Sequence, residues 1–387
     1  MNILIGLTYY RPHYSGLTIY TERLARAWAA RGHNVTVLTS QFEKSLPREE
    51  MVDGVRVVRL PVAFRISKGV IMPSIPFRAW QEIRKADLVN LHVPQLDAAP
   101  IAMLARLMGR PVLLTYHCDL QLPGGLVNRL ANFASDVANH IAARMAQRIV
   151  TNTMDYAEAS PFLRQYIGKV HGIPPPVTLP KVQPAAVDAL RARLGVKPGE
   201  RVIGMVARLA AEKGAETLVR AMPAVLAEMP GARVLYAGQH KGVMGEEAYA
   251  AMLAPMIAEL GDKWQFLGLI PDDDLAAFFQ VCDVVVVPSS NSTESFGIVQ
   301  VEAMTSGTPA IASDLPGMRQ PVLTTGMGRT FASGDSAALA AALLDVLKNR
   351  DKYRGDVTAI TQRFSPQTIA AEYEAVIAAM MTSRSGL

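Results

Sequence analysis

A regular alternation of short apolar runs and longer amphipathic segments, interrupted once by stacked prolines, constrains this chain more than any other feature. Residues 2–8 read as a first buried strand, and 17–31 as a helix with apolar residues near 3.6 spacing. Further strands are expected at 35–40, 88–92, 112–117 and 149–152, with helices over 98–108 and 126–147 between them. Gly172-Ile-Pro-Pro-Pro-Val then breaks the periodicity and marks a linker. A second series begins at Val202 and includes strands at 233–238, 264–267, 284–288 and 309–313. Strands alternating with helices are the mark of parallel sheets built from βαβ units. The expectation is an α/β chain of two doubly wound halves facing across a cleft, where such folds bind ligands. At 387 residues, half of them apolar, the chain is long enough for two ordinary cores.

Several classes are set aside by composition. The longest apolar runs are strand length, well short of the roughly 20 residues that span a bilayer. Met1-Asn-Ile-Leu-Ile-Gly lacks the basic and apolar regions of a signal peptide. Cys118 and Cys282 are too few for a disulfide framework and lack metal-ligand spacing, which suits a reduced cytoplasm. The net charge of +5 is uneven: residues 1–180 carry 20 Lys and Arg against 12 Asp and Glu, and the remainder 19 against 22. A basic first half fits an anionic partner, either a phosphate-bearing acceptor or peripheral contact with an anionic leaflet; scattered surface charge is the competing reading. Residues 71–85, with Met, Ile, Phe and Trp beside Arg78, Arg84 and Lys85, read either as an interfacial segment or, by preference, as an ordinary packed helix.

Asn291-Ser-Thr-Glu294-Ser-Phe-Gly297-Ile-Val-Gln-Val-Glu302 carries the most chemical information. It places two carboxylates eight residues apart across what reads as a loop entering a helix. A mostly helical span would separate them by roughly 12 Å, about the length of a sugar diphosphate. Gly297 would let a backbone approach between them, where the first helical amides suit an anionic phosphate. Two solvated glutamates on an amphipathic helix are the plain alternative. Upstream, Arg208 and Lys213 follow the apolar run 201–206. A guanidinium fork and a mobile ammonium suit the two charges of a pyrophosphate. Taken singly they read more readily as surface cations at the start of a helix over 214–228; beside the acidic pair they point to a nucleotide-sugar site.

With these residues in place the chain resembles the retaining nucleotide-sugar glycosyltransferases of family 4, and the likeness runs over nearly all of it. It is carried by Ser15-Gly16, Arg31-Gly-His-Asn-Val-Thr-Val, Thr115-Tyr-His117-Cys-Asp119, Gly172-Ile-Pro-Pro-Pro, and Arg208 with Lys213. Phe266-Leu-Gly268, Cys282-Asp-Val-Val-Val-Val-Pro-Ser, the Glu294/Glu302 pair and Asp314-Leu-Pro-Gly317 complete it. The resemblance implies the GT-B fold, two Rossmann-like domains. Residues 1–178 would bind acceptor and 179–365 the nucleotide sugar, with a helix over 366–387 returning to the first domain. It also implies that His117 lies beside the reacting sugar and acceptor. Asp119 contacts the acceptor, orients His117 or serves a turn, and His92 is a weaker ligand candidate. Gly16 approaches a phosphate, though relatives often carry two glycines where this chain has Ser15-Gly16. Gly268 and Ile270 lie where relatives hold the base. Ser295, Phe296, Gly297 and Ile298 belong to the donor side, Glu294 to the hexose and Glu302 to the ribose. The turn Gly238-Gln-His-Lys241-Gly242 departs from the Gly-x-Gly of many relatives.

The expected chemistry is transfer of a hexosyl unit from a UDP- or GDP-linked sugar to a hydroxyl acceptor, a glycan or lipid, in cell-envelope polysaccharide or glycolipid synthesis. The resemblance implies retention by front-face attack, with Arg208, Lys213 and helix-start amides stabilising the leaving diphosphate. No metal, other cofactor or nucleic acid is expected. A nucleotide-sugar epimerase, a phosphorylase and a non-catalytic binding protein of the same fold are the alternatives. A dinucleotide oxidoreductase fits less, because the first βα turn lacks Gly-x-Gly-x-x-Gly.

Overall fold

The computed structural model describes residues 1–66, 69–119, 126–291 and 293–382. The chain forms two compact units, Met1–Pro176 with Ser365–Leu387, and Val177–Phe364.

The first unit is built on β1 (Asn2–Gly6), β2 (Asn34–Gln41), β3 (Glu49–Val52), β4 (Val55–Pro61), and a small hairpin of β5 (Phe64–Ile66) with β6 (Gly69–Ile71). It continues with β7 (Leu88–Val93), β8 (Val112–Tyr116), β9 (Arg148–Thr151) and β10 (Val170–Gly172). The main sheet has the order β10-β9-β8-β7-β1-β2-β4-β3. All its pairs are parallel except β3 with β4. That hairpin turns through Asp53 and Gly54, both at positive φ, as a two-residue turn matching strand twist requires. The strand order reverses at β1, which has β7 on one side and β2 on the other.

Period-2 alternation assigns the two faces. Leu4, Leu38 and Val58 point into a core shared with α2 (Ile75–Lys85), α3 (Ala98–Leu107) and α4 (Leu126–Met145). Ile3, Ile5, Val35, Val37 and Val57 face α1 (Gly16–Ala30) and the C-terminal helix Pro366–Thr382. Tyr373 fastens that returning helix. Its hydroxyl lies 2.7 Å from that of Tyr20 and 3.2 Å from the Thr115 hydroxyl, and its ring meets Trp28 edge-on. Arg31 adds a two-pronged bond to Glu374, 2.7 Å at each prong. The segment 71–85 is largely an ordinary packed helix: Ile75, Ala79, Glu82 and Ile83 of α2 are buried.

The second unit has β11 (Arg201–Val206), β12 (Ala232–Ala237), β13 (Trp264–Gly268), β14 (Val284–Val287), β15 (Ala310–Ser313) and β16 (Gly328–Phe331), in the order β13-β12-β11-β14-β15-β16. Every pair is parallel. Met205, Val234, Val286 and Ile311 pack under α7 (Ala215–Glu228) and α12 (Ser336–Lys348), while Val202, Leu235 and Val285 pack under α6 (Pro184–Arg193) and α9 (Asp272–Val281). Here the order reverses between β11 and β14. The loops after those two strands therefore emerge side by side, the usual seat of ligands in such sheets.

One expectation is corrected by the backbone. The helix that holds Glu302, α10 (Ile298–Thr305), begins only after Gly297. Glu294 lies in the preceding loop, so a uniform helical rise does not set its separation from Glu302. The residue between Asn291 and Thr293, Ser292, falls outside the described set.

Candidate functional site

The loop after β11 makes one tight turn at Ala211–Lys213 and reverses at Gly214, where φ is +67°. A β-carbon on Gly214 would sit 1.8 Å from the Pro288 carbonyl oxygen, so only glycine lets this loop lie flat on the segment after β14. Ser290 stitches the two together, its N–H donating to the Glu212 carbonyl at 3.0 Å and its hydroxyl to Ala211 at 3.1 Å. This closeness brings Lys213 to Glu294: the ammonium donates directly to the carboxylate. Burial works against the Lys213 charge, but the carboxylates of Glu294 and Glu212 more than offset it, and its pKa is raised. Arg208, about 40% exposed, donates to Glu212 four residues on. Each cation expected to meet a diphosphate thus carries a carboxylate of its own.

Beyond Glu294 the chain turns at Gly297, with φ +73°. A β-carbon there would crowd the Gln300 amide at 2.6 Å and the Met318 sulfur at 3.0 Å. Gln300 is fully buried and donates to the carbonyls of Phe296 and Met318 at 3.1 and 3.0 Å, fixing the entry to α10. That helix has no side-chain N-cap. Phe296 is packed among Val177, Val301 and Met304. Ser295 is buried, Ile298 half-buried. Glu302 is only 5% exposed, unlike the solvated glutamate of the plain reading. Gly268 closes β13 at φ +73°, and its carbonyl accepts the Gly238 N–H at 2.7 Å. Gly238 in turn abuts the carbonyl of Ala207, beside Arg208. The Ile270 side chain packs partly into the core beneath α9.

In the first unit, Gly16 opens α1 and Ser15 caps it, its hydroxyl accepting the Thr18 N–H at 3.2 Å. A β-carbon on Gly16 would meet nothing within 4 Å, so packing within the unit does not demand glycine there. His117 follows β8, its N–H donating to the Val93 carbonyl at 3.0 Å. Its Nε2 lies 2.9 Å from Nδ1 of His92, the rings are stacked, and Tyr20 sits edge-on to it. His92 Nδ1 is also 2.9 Å from the Thr21 hydroxyl. Burial pushes the His117 pKa down to about 3. Burial, and secondarily His117 itself, puts His92 well below the ordinary histidine value. Asp119 accepts hydrogen bonds on Oδ1 from the hydroxyls of Tyr116 and Ser160, both at 2.7 Å, and donates its N–H to Tyr156 at 2.8 Å. The nitrogen facing His117 Nε2 belongs to His92, a residue the sequence offered only as a weak ligand candidate.

Glu212, Thr21 and Gln300 were not singled out by sequence reasoning. Nothing in their local pattern signals a role, because each acts on a partner brought near by folding. The acidic run Asp272-Asp273-Asp274 is a possible metal signal that such reasoning passed over. It opens α9, and Asp274 pairs with Arg193. Among the described residues no group of three His, Cys, Asp or Glu side chains is placed to hold a metal. No described helix is long and apolar enough to cross a membrane.

Known proteins resemble this chain along most of its length. Residues 187–362 match the family model for group 1 glycosyl transferases, and 15–179 the glycosyl transferase 4-like domain. D-inositol 3-phosphate glycosyltransferase of Nocardia farcinica is 30% identical over 88% of this chain and 78% of its own length. The chain belongs to the family 4, group 1 glycosyltransferases. It is a transferase that moves sugar from a nucleotide sugar. Phosphatidyl-myo-inositol mannosyltransferase of Mycobacterium leprae is 27% identical to this glycosyltransferase, over 96% of this chain and 94% of that one. The solved structure of Anabaena HepE in complex with UDP-glucose superposes with a TM-score of 0.76 at 22% identity, covering 98% of this chain and 100% of the other. The two Rossmann-like units are those of the GT-B fold.

The histidine pair yields a stability prediction. His117 stays neutral in the fold, whereas the unfolded chain takes up the proton below about pH 6.5. Its contribution is therefore complete above pH 6.5 and lost as pH falls toward about 3, at about 1.4 kcal/mol per pH unit. Urea unfolding at pH 7, 6, 5 and 4 should show a shallower decline for His117→Gln than for the parent; parallel declines would remove the buried neutral imidazole from the account.

Proposed function

We propose that this enzyme transfers a hexosyl unit from a UDP- or GDP-linked sugar to a hydroxyl of an anionic, phosphate-bearing acceptor, with retention at the anomeric carbon and without a metal ion. The observation that carries the reading is the Lys213–Glu294 pair at the reversal between β11 and β14, next to the uncapped start of α10. A donor diphosphate offers Lys213 and Arg208 stronger acceptors than the carboxylates they now hold. Lys213 turns from Glu294 to the phosphates, and Glu294 becomes available to sugar hydroxyls. The amides of Gly297 and Ile298 support the second phosphate. Glu302 holds the ribose diol, and main chain near Gly268 and Ile270 borders the base. Gly16, at the start of α1, leaves room for a phosphate.

As the glycosidic bond lengthens, charge accumulates on the departing phosphate and is met by Arg208, Lys213 and the helix-start dipoles. The acceptor oxygen bonds to the anomeric carbon on the face the phosphate leaves, and its proton passes to the leaving phosphate oxygen. His117 and Asp119 serve the sugar and the acceptor. The acceptor class draws support from two named relatives, whose substrates are inositol 3-phosphate and phosphatidyl-inositol, and from the positive charge of residues 1–180. A peripheral contact with an anionic cytoplasmic leaflet belongs to the same reading. It rests on exposed Phe77 and Trp80, which stack on α2, and on Arg84 over the Trp80 ring at 4.8 Å.

Calorimetry with UDP and GDP identifies the base. Lys213→Ala should lower kcat/KM roughly 100-fold or more, and Arg208→Ala should weaken diphosphate binding; full activity in both removes the clamp. Turnover should persist in excess chelator, and its loss would overturn the metal-free mechanism. Vesicles containing anionic phospholipid should sediment the parent and release a Phe77→Ser/Trp80→Ser variant, whereas equal behaviour denies the leaflet contact.

A further inference from the structure

Hydrogens shared by buried groups can be assigned by counting donors and acceptors. Thr21 lies in α1, and its hydroxyl donates to the Leu17 carbonyl at 2.8 Å, one helical turn back. A hydroxyl has one hydrogen. The 2.9 Å contact between Thr21 Oγ1 and His92 Nδ1 therefore takes its hydrogen from the ring. His117 Nε2 stands 2.9 Å from that same Nδ1. A hydrogen on both nitrogens would point two donors at each other, so Nε2 is the acceptor and neutral His117 carries its hydrogen on Nδ1. A second observation agrees. His92 Nε2 is buried with no hydrogen-bond partner among the described residues. A stranded lone pair there costs less than a stranded N–H, which again places the His92 hydrogen on Nδ1. Burial keeps both rings from taking a second proton.

We propose that His92 is a positioning residue that holds His117 as its Nδ1–H tautomer, so that His117 meets a sugar or acceptor hydroxyl as a hydrogen-bond donor and not as a base. This rests on the assignment of His117 to the sugar and acceptor side. The consequence is that the acceptor's proton goes elsewhere, which leaves the departing phosphate as its destination. Thr21 completes the device by occupying the other share of the His92 hydrogen, and Tyr20 walls the His117 ring.

The test uses the intact protein labelled with 15N-histidine. Long-range correlations should show His117 with a protonated Nδ1 and a bare Nε2, and His92 in the same form; a protonated Nε2 on His117 overturns the proposal whatever the variants do. His92→Asn keeps an N–H near the position of Nδ1 and should retain most of kcat. His92→Leu should lower kcat roughly tenfold, the worth of one lost hydrogen bond, with donor KM unchanged and a mixture of His117 tautomers. Equal losses in the two variants overturn the positioning role. Full activity of His117→Ala would sink the sugar-side assignment alone, leaving the tautomer measurement standing.

Discussion

Parallel strands covered on both faces leave polar chemistry only at their ends, and that constraint organises both units. β7 and β8 are buried along their whole length, as sheets with helices on either side require. Side chains on such strands have no freedom to serve a ligand. The residues proposed to carry chemistry accordingly sit one to several positions past a strand: His117 after β8, Arg208 and Lys213 after β11, Glu294 after β14. Where the order of strands reverses, two such ends lie adjacent without an intervening crossover. Gly214 exploits that adjacency by lying against the Pro288 carbonyl.

The ion pairs follow from the same closeness. A cation poised for a diphosphate would be poorly placed if it stood partly buried and uncompensated. Lys213 and Arg208 are each held by a carboxylate, Glu294 and Glu212. Such pairs cost desolvation, and their partners can be exchanged. A pyrophosphate bearing more charge and more acceptor oxygens can displace them, while an uncharged sugar cannot. On the proposed reading, these pairs hold the two cations until a diphosphate replaces the carboxylates.

Much of the fold was legible because burial writes itself into period. The apolar runs of β1, β7, β8, β11 and β14 announce strands, and α1 shows helical spacing. The β3–β4 hairpin was not foreseen, since the exposed edge strand Glu49–Val52 is too polar and too short to stand out. β16, with only one fully buried residue, escaped for a similar reason. The helical rise assumed between Glu294 and Glu302 failed because Gly297 adopts a left-handed turn, which residue type permits but does not announce. In the candidate site, Lys213, Glu294 and His117 were visible as residue types past strands and Glu302 as one on the following helix, but which of them pair, Lys213 with Glu294 and His117 with His92, was not.

From the sequence alone came the two alternating series, the proline break between them, the cationic pair after one strand and the acidic pair around a helix start. These are local properties, set by residue type and spacing along a few turns of chain. Only the tertiary structure decided that Lys213 bonds Glu294, that His92 faces His117 and Thr21, that Glu302 is buried, and that Tyr373 reaches Tyr20. Those contacts join residues from separate elements, and their existence depends on the order in which strands assemble. Spacing along a chain carries no record of that order.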